Sequence, residues 1–338
     1  MIAIHHRDKG FSQKWIEYCE TRGISYKLVD CYDSDIVAQL AGCTILMWHW
    51  AHNDHKAILF ARQLICSIEL MGIKVFPDSQ TCWHYDDKVG QKYLLEAIDA
   101  PLVPSYVFYK QSDALAWLNT TSFPKVFKLR NGAGSENVLK VASAKKAKQL
   151  IRKAFGSGFS ARTRLSLLKE RVWRFRRDKS IQSLLLVAKG LARLAIPTIQ
   201  EKMFPAERNY AYFQDFLPDN DCDIRVIVIG SRAFAIKRMV REGDFRASGS
   251  GKIVYDPSEI PPQCLKIAFD VTSRIYAQCV AYDFVFDAEG EPKIVEIGYA
   301  FNVKVYLPCP GYWDQDLNWT PGSFRPEYFM IEDLIDKA

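Results

Sequence analysis

The 338-residue chain has no apolar run long enough to cross a bilayer, which argues against a helical membrane-spanning protein. Its opening residues, Met1-Ile2-Ala3-Ile4-His5-His6-Arg7, read as a short strand and not as a secretory signal, so a cytoplasmic location is expected. Cysteines stand at 19, 31, 43, 66, 82, 222, 264, 279 and 309, with no Cys-x-x-Cys pair among them. An odd, scattered set of this kind excludes a disulfide framework or a zinc ribbon and predicts reduced core thiols. No internal repeat or low-complexity segment is present, and no Ser/His/Asp or Cys/His arrangement suggests a nucleophile. No recognised nucleic-acid module accompanies the net charge of +6. What remains is an ordinary globular composition, 49% hydrophobic and 25% charged, with room for two or three packed units.

Organisation follows from pattern. Within residues 1–80, Ile2–His5, Ser25–Val29, Thr44–Trp48 and Lys74–Phe76 read as strands, with helices near 11–22 and 53–71 between them. Such alternation predicts a small parallel α/β layer. Residues 81–125 form a linker with a helix at about 87–98 and the proline-marked stretch Ala100–Tyr109. Residues 126–217 hold a lysine-bearing strand, a basic helical insertion at 159–196 and a further strand, and residues 218–338 complete the chain. From 306 onward the proline- and tryptophan-rich tail shows no clear period.

Two carboxylates carry the chemistry. Asp283 lies in Val280-Ala281-Tyr282-Asp283-Phe284-Val285-Phe286 and Glu296 in Lys293-Ile294-Val295-Glu296-Ile297, both of strand character. The turn formers Asp287-Ala288-Glu289-Gly290-Glu291-Pro292 join them, so a hairpin is predicted, with the two carboxylates side by side. Adjacent buried carboxylates repel unless something positive lies between them. Mg²⁺ suits the position, because it takes one or two protein carboxylates and fills its shell with nucleotide phosphates. Arg225, Lys237, Arg238 and Arg246 upstream are then the groups to hold phosphate, and the whole reads as a nucleotide site. Because Lys237 and Arg238 are neighbours on a strand, they must point to opposite faces.

These motifs, in this order, resemble the ATP-grasp superfamily over about residues 80–305. Phe213-Gln214-Asp215-Phe216-Leu217 resembles the hinge strand whose backbone holds adenine, and Asp223-Ile224-Arg225 the Asp-x-Arg strand that follows. Ala235-Ile236-Lys237-Arg238 and Gly243-Asp244-Phe245-Arg246-Ala247-Ser248 are similar to the ribosomal-protein glutamate ligases and glutathione synthetases. Pro124-Lys125-Val126-Phe127-Lys128-Leu129 resembles the strand whose lysine touches the α-phosphate. It leads into Asn131-Gly132-Ala133-Gly134-Ser135, whose backbone N–H groups would approach the outer phosphates. Asp87-Lys88 matches a pair that often supplies a second nucleotide-facing lysine.

The resemblance implies an α/β (α+β) ATP-grasp fold with an N-terminal Rossmann-like pre-ATP-grasp domain and a basic helical insertion. It implies ATP and Mg²⁺ as cofactors, with Asp283 and Glu296 on the metal. Arg246, Arg238 and Arg225 would be catalytic. Lys88, Lys128, Gly132, Gly134, Ser135, Gln214, Asp215, Phe216, Leu217, Asp223 and Lys237 would face the nucleotide. The implied reaction joins a carboxylate to an amine through an acyl phosphate; a kinase and an ATP-binding scaffold are the alternatives. Two positions depart from the family: Gly298 stands where an asparagine ligand is common, and Ala247-Ser248 replaces Ser-Asn. Glu296-Ile297-Gly298-Tyr299 instead resembles ATP-grasp proteins of bacterial surface-polysaccharide clusters.

One block stands apart. From 161 to 193 the chain carries ten Lys or Arg against two acids, a net of +8, which leaves the remainder at −2. Leu184, Leu185, Ala188 and Leu191 recur there at helical spacing. The block reads either as a solvated helical insertion or as a landing surface for an anionic partner. Expected partners are small-molecule carboxylate and amine substrates, a lipid-linked glycan or anionic membrane surface through 161–193, and a second copy as a homodimer, with no nucleic acid. His5, His6, His49 and His52 cluster at the C-terminal ends of predicted strands, where open α/β sheets bind ligands. Structural histidines and an acceptor-binding role both fit them.

Overall fold

The structure is a computed structural model that describes residues 1–8, 10–52, 54–132, 138–159, 168, 171–172, 175–176, 178–192, 206–241, 243–247 and 249–336. The chain divides into two units: unit 1 is Met1–Tyr85, Gly90–Leu102 and Leu217–Ala338, and unit 2 is Asp86–Val89 and Val103–Phe216. The four segments read from the sequence are distributed over these two.

In unit 1 the first strands are β1 (Ile2–His5), β2 (Tyr26–Val29), β3 (Ile45–Met47) and β4 (Lys74–Phe76). They pair in parallel in the order β2-β1-β3-β4. Helix His55–Leu70 starts where the Asp54 carboxylate accepts the amides of Lys56 and Ala57. It buries Ala57, Ala61, Ile65 and Ile68, one helical stripe, with Leu46 and Val75. Helix Ser12–Arg22 packs Trp15, Ile16 and Cys19 with Ile2, Ile4, Ile45 and Met47.

Unit 2 holds an antiparallel sheet of β5 (Ser105–Phe108), β6 (Lys125–Lys128), β7 (Val138–Val141) and β8 (Ala211–Asp215), in the order β5-β8-β6-β7. Helices Gln111–Trp117 and Ala144–Ala154 cover one face, where Ala114, Ala147, Leu150 and Ile151 meet Phe127, Val141, Ala211 and Phe213.

The larger sheet of unit 1 comprises β9 (Cys222–Ile229), β10 (Arg232–Met239), β11 (Ile253–Val254), β12 (Cys279–Phe286), β13 (Pro292–Gly298), β14 (Gly311–Trp313) and β15 (Trp319–Pro321). Its order is β13-β12-β9-β10-β14-β15, with β11 added on β10. Both faces of its middle are buried, which explains the near-continuous apolar runs in the sequence. Val226, Val228 and Tyr282 pack with helix Pro262–Arg274, while Ile227, Ile229 and Ile236 pack with helices Ser12–Arg22 and Pro326–Ile335.

Helix Pro326–Ile335 corrects the expectation of an unpatterned tail. Proline at its first turn, where no N–H is needed, starts it, and Phe329, Met330, Ile331 and Leu334 bury one stripe. All nine cysteines are free and seven are buried, as the sequence predicted. Among the described residues, no helix is long and apolar enough to cross a membrane.

Candidate active-site groups

Strand alternation in unit 1 turns a core row into a charged row. Ile229 and Ile227 on β9, Phe234 and Ile236 on β10, and Cys279 and Ala281 on β12 share one apolar face. Two residues further along each strand, the same face carries Arg225 and Asp223, Arg238, and Asp283. The register puts Asp283 opposite both Arg225 and Glu296, and Asp223 opposite Arg238. The predicted hairpin and its paired carboxylates are therefore present. Val295 is the extra residue of a bulge there, since Asp283 pairs with Glu296 but Phe284 with Ile294.

The charges are linked in series. Arg238 forks onto Asp223 with two bonds of 2.6 Å, and its Nη2 lies 2.8 Å from Asp283 Oδ1. Arg225 Nη1 approaches the same oxygen at 3.5 Å. The Arg238 and Asp223 side chains are only 9% and 13% exposed, so each depends on the other for its charge. Burial pushes the Asp223 carboxyl above its ordinary value, opposed by Arg238. Burial also works against the Arg238 charge, but Asp283 and Asp223 more than offset it and hold the guanidinium charged. Asp223, expected among the nucleotide contacts, instead has both carboxylate oxygens engaged by Arg238.

Two cross-strand carboxylates present hard oxygen donors in the number that Mg²⁺ commonly takes from protein, so this pair fits the implied ion. Among the described residues no group of three or more His, Cys, Asp or Glu is placed to hold a metal. Asp287, the other carboxylate of the hairpin, serves the turn: it accepts the Glu289 and Glu291 amides and pairs with Lys293 at 3.2 Å. At Gly298 a Cβ would sit 3.9 Å from the Tyr85 ring, an ordinary contact, so a side chain there would project toward Tyr85.

Lys237 is not brought to this row. It lies on the opposite face, opposite Ile224, and binds Glu259 at 2.8 Å. The expected nucleotide contact for Lys237 is replaced by a partly exposed ion pair. Arg246 forks onto Asp244, with bonds of 2.6 to 3.0 Å. Burial raises the Asp244 carboxyl, and the Arg246 bonds outweigh that and hold it below its ordinary value.

Unit 2 carries the lysines. Lys128, 3% exposed, ends β6 on the face that also bears Val126, Tyr212 and Gln214. The helix-covered face holds Phe127 and Phe213, and there Lys125 binds Asp215 at 2.5 Å beside the Tyr106 ring. Gln214 donates to Ser105 Oγ at 3.0 Å, and the Asp215 amide to the Pro104 carbonyl at 2.9 Å. Phe216 lies under the Lys140 ammonium at 3.6 Å, and the Leu217 carbonyl accepts from Asn220.

The segment before helix Lys88–Ala97 clasps the loop after β6. Asp86 accepts the Gly132 amide at 2.9 Å, Asp87 pairs with Arg130 at 2.5 Å, and Lys88 Nζ donates to the Gly132 carbonyl at 2.6 Å. Lys88, expected to face the nucleotide, is bonded to this loop. Gly134 and Ser135 lie outside the described residues.

Sequence reading missed four residues: Lys125, Asp86, Arg130 and Tyr306. Lys125, three residues before Lys128, gave a signal in strand alternation that two lysines of opposite parity face apart. Asp86 and Arg130, the other halves of the clasp, gave none. Tyr306, buried beside Phe234 and Phe301, caps the short 3₁₀ segment Val303–Val305 after β13, where no period marks it.

The N-terminal histidines are satisfied within the fold. His5 Nδ1 accepts the Cys31 amide at 3.0 Å and His49 Nδ1 the Phe11 amide at 3.2 Å. His6 Nδ1 is 3.3 Å from Ser12 Oγ, and His52 Nδ1 is 3.3 Å from the Tyr85 hydroxyl. His49 also stacks on Phe11, and burial lowers its pKa to about 3.

Unit 1 thus holds a strand-borne carboxylate pair closed by arginines, and unit 2 a sheet with a buried lysine on each face. Residues 195–306 match the RimK-like ATP-grasp domain. The fold is similar to that of the D-cycloserine synthetase DcsG, with TM-score 0.57 at 14% identity over 99% of both chains. It is similar to D-alanine–D-alanine ligase from Bacillus anthracis, solved with ATP, with TM-score 0.55 at 9% identity over 100% of this chain and 98% of that one. The ATP-grasp ligase PsnB, solved with a precursor peptide and AMPPNP, gives 0.52 at 12% identity over 99% and 97%. No curated protein matches the chain. The match to the RimK-like ATP-grasp domain covers about a third of the chain, and the fold is the one these ATP-grasp ligases share.

Proposed function

We propose that the chain is an ADP-forming carboxylate–amine ligase that uses ATP and Mg²⁺. The observation that carries this is the placement of Asp283 directly opposite Glu296 with Arg238 and Arg225 closing on Asp283 Oδ1. Bound at this pair, Mg²⁺ would neutralise charge on a transferring phosphoryl group. The chain's own groups then have distinct work. Asp223 fixes the Arg238 guanidinium so that no side-chain reorganisation is needed as charge develops. Arg225 supports the Asp283 carboxylate from the neighbouring strand. Arg246 is the group we assign to the acyl phosphate, released from Asp244 when an anion competes for it. Lys128 is assigned to the nucleotide phosphates, and the Gln214–Leu217 backbone to adenine.

The finer reading places the acceptor in bacterial surface-polysaccharide assembly, as a sugar, a precursor or a lipid-linked glycan met at the inner membrane face. Its support is the Gly298-Tyr299 pair after the metal strand. Tyr299 is fully buried and donates to the Trp50 carbonyl at 2.9 Å. ADP and free phosphate, measured with ATP, candidate acids and candidate amines, test the reaction. A ligase releases both only when acid and amine are present. ADP with a stable phosphorylated product would instead establish a kinase, and nucleotide binding without either product a scaffold.

A further inference from the structure

The basic insertion contains a helix that is packed inside out. Helix Ile181–Ala192 is started locally: Ser180 Oγ accepts the Ser183 amide at 3.2 Å, and Ser183 Oγ accepts the Ser180 amide at 3.2 Å. With its N-terminus capped in both directions, the helix does not need a buried apolar stripe to define where it begins. The stripe exists nonetheless, and it points outward.

Ile181, Leu184, Leu185, Ala188, Leu191 and Ala192 fall at the i, i+3, i+4, i+7 spacing of one helical face. All six are exposed, Ile181 to 79%, Leu184 to 50%, Leu185 to 57% and Leu191 to 55%. The opposite side is the one turned inward, and it carries Ser183 and Gly190, both buried. A Cβ at Gly190 would come within 2.9 Å of Leu168 Cδ1 and 3.2 Å of Arg171 Cδ, so glycine is what allows the close approach. Arg171 Nη1 donates to the Leu186 carbonyl at 3.0 Å and ties the two segments together. Small residues inward and leucines outward is the reverse of a helix that finishes a soluble core.

Charge selects what covers this face. The 161–193 block carries +8, against −2 for the rest of the chain. A second copy would bring another +8 against the first, and like charges oppose that pairing. An anionic surface with an apolar interior satisfies both features, since aliphatic side chains enter the acyl boundary while Lys and Arg stay at the headgroups. We propose that the exposed face of helix Ile181–Ala192 docks this protein on an anionic phospholipid bilayer. The proposal goes beyond the ligase reading and stands independently of it.

The test uses the full chain and sedimentation with vesicles of phosphatidylglycerol mixed with phosphatidylcholine, or of phosphatidylcholine alone. Binding is expected to the anionic vesicles only, and to weaken as salt passes about 0.15 M, where the Debye length is about 8 Å. Leu184→Ser, Leu185→Ser and Leu191→Ser together should lower the partition coefficient by about tenfold or more. The thermal midpoint and ATP binding should be unchanged, because these side chains are already in water. Changing Arg176, Lys179 and Lys189 to Gln should weaken binding at low salt and flatten its salt dependence. Absence of the wild-type chain from the anionic pellet at low salt overturns the proposal. So does binding that the three serines leave intact, which would assign docking elsewhere. A wild-type dimer that the serines convert to monomer, with vesicles unbound, overturns it in favour of a second copy.

Discussion

The charged rows of unit 1 and unit 2 are built on strands alike and stabilised differently. In unit 1 every charge of the row shares a face with the core, and Asp223, Arg238, Asp283 and Arg225 neutralise one another in a chain. In unit 2 the two lysines of one strand part company: Lys125 is spent on Asp215 over the helix-packed face, and Lys128 takes the other face. The difference teaches where function and stability are tied together. A substitution in the unit 1 row leaves a partner's charge buried, so it damages fold and chemistry at once. In unit 2 the structural lysine and the lysine we assign to the nucleotide are separate residues, so their effects should separate.

The largest effect is expected at Asp223. Asp223→Ala leaves the Arg238 guanidinium without its fork, and breaking a buried pair of this kind costs about 3–5 kcal/mol. Urea denaturation measures it; a loss below about 1 kcal/mol would mean the pair is solvated and the unit 1 row is not self-supporting. Asp283→Asn and Glu296→Gln sharpen the same point. Both should abolish ADP release, since each removes a carboxylate from the proposed Mg²⁺ pair. Asp283→Asn should also lower the unfolding midpoint, because Asp283 carries Arg238 and Arg225. An unchanged midpoint would mean that the row does not depend on that carboxylate.

Lys125 and Lys128 test unit 2. Lys125→Met removes the partner of Asp215 and should destabilise by about 1–2 kcal/mol, discounted because Asp215 is 28% exposed, with ATP affinity little changed. Lys128→Met should weaken ATP binding by about tenfold, the loss of one charge-assisted bond. Calorimetry with ATP and thermal unfolding read the two together. If both variants fail in the same assay, strand parity does not separate their roles.

A smaller effect comes from His49. Its pKa falls from 6.5 unfolded to about 3 folded, because burial disfavours the imidazolium. Below 6.5 the unfolded chain therefore binds more protons than the folded one. The stability from keeping His49 neutral is complete above 6.5 and is lost as pH falls toward 3, with a slope of up to about 1.4 kcal/mol per pH unit. His49→Gln should flatten that slope between pH 6.5 and 3 in urea titrations. Gly10 must be retained, since a Cβ there would meet His49 Nδ1 at 2.7 Å.

Much of this was legible beforehand, for physical reasons. The first four strands and the 279–298 hairpin announced themselves because buried strands concentrate β-branched and aromatic residues and end at turn formers. The hairpin followed from the turn formers at 287–292, but the Asp283–Glu296 pairing depends on the bulge at Val295, without which the register would set Asp283 opposite Val295. The Asp223–Arg238 fork did not, because which residue faces which across β9 and β10 depends on a register that no single strand encodes. The Asp86 and Lys88 clasp on Gly132 joins residues over forty positions apart, and loop backbone carries no period. Helix Pro326–Ile335 was readable from Pro326 and its apolar stripe, but its ten residues were masked by the aromatic tail before them.

The smallest predicted effect is the sharpest test of parity. Lys237 and Arg238 are adjacent, both cationic and both on β10, so any argument from composition treats them alike. The register separates them: Arg238 opposes Asp223 on the core row, and Lys237 opposes Ile224 on the far face, bound to Glu259. Lys237 is 24% exposed and Glu259 48%, so water screens the pair and Lys237→Gln should cost at most about 0.5 kcal/mol. Turnover and nucleotide affinity should stay at wild-type levels. Arg238→Gln, one residue on, should lose turnover and several kcal/mol together, since it strands Asp223 and weakens the closure on Asp283. If Lys237→Gln raised the KM for ATP, the far face would take part in nucleotide binding, and the assignment of one chemical face to this sheet would have to be given up.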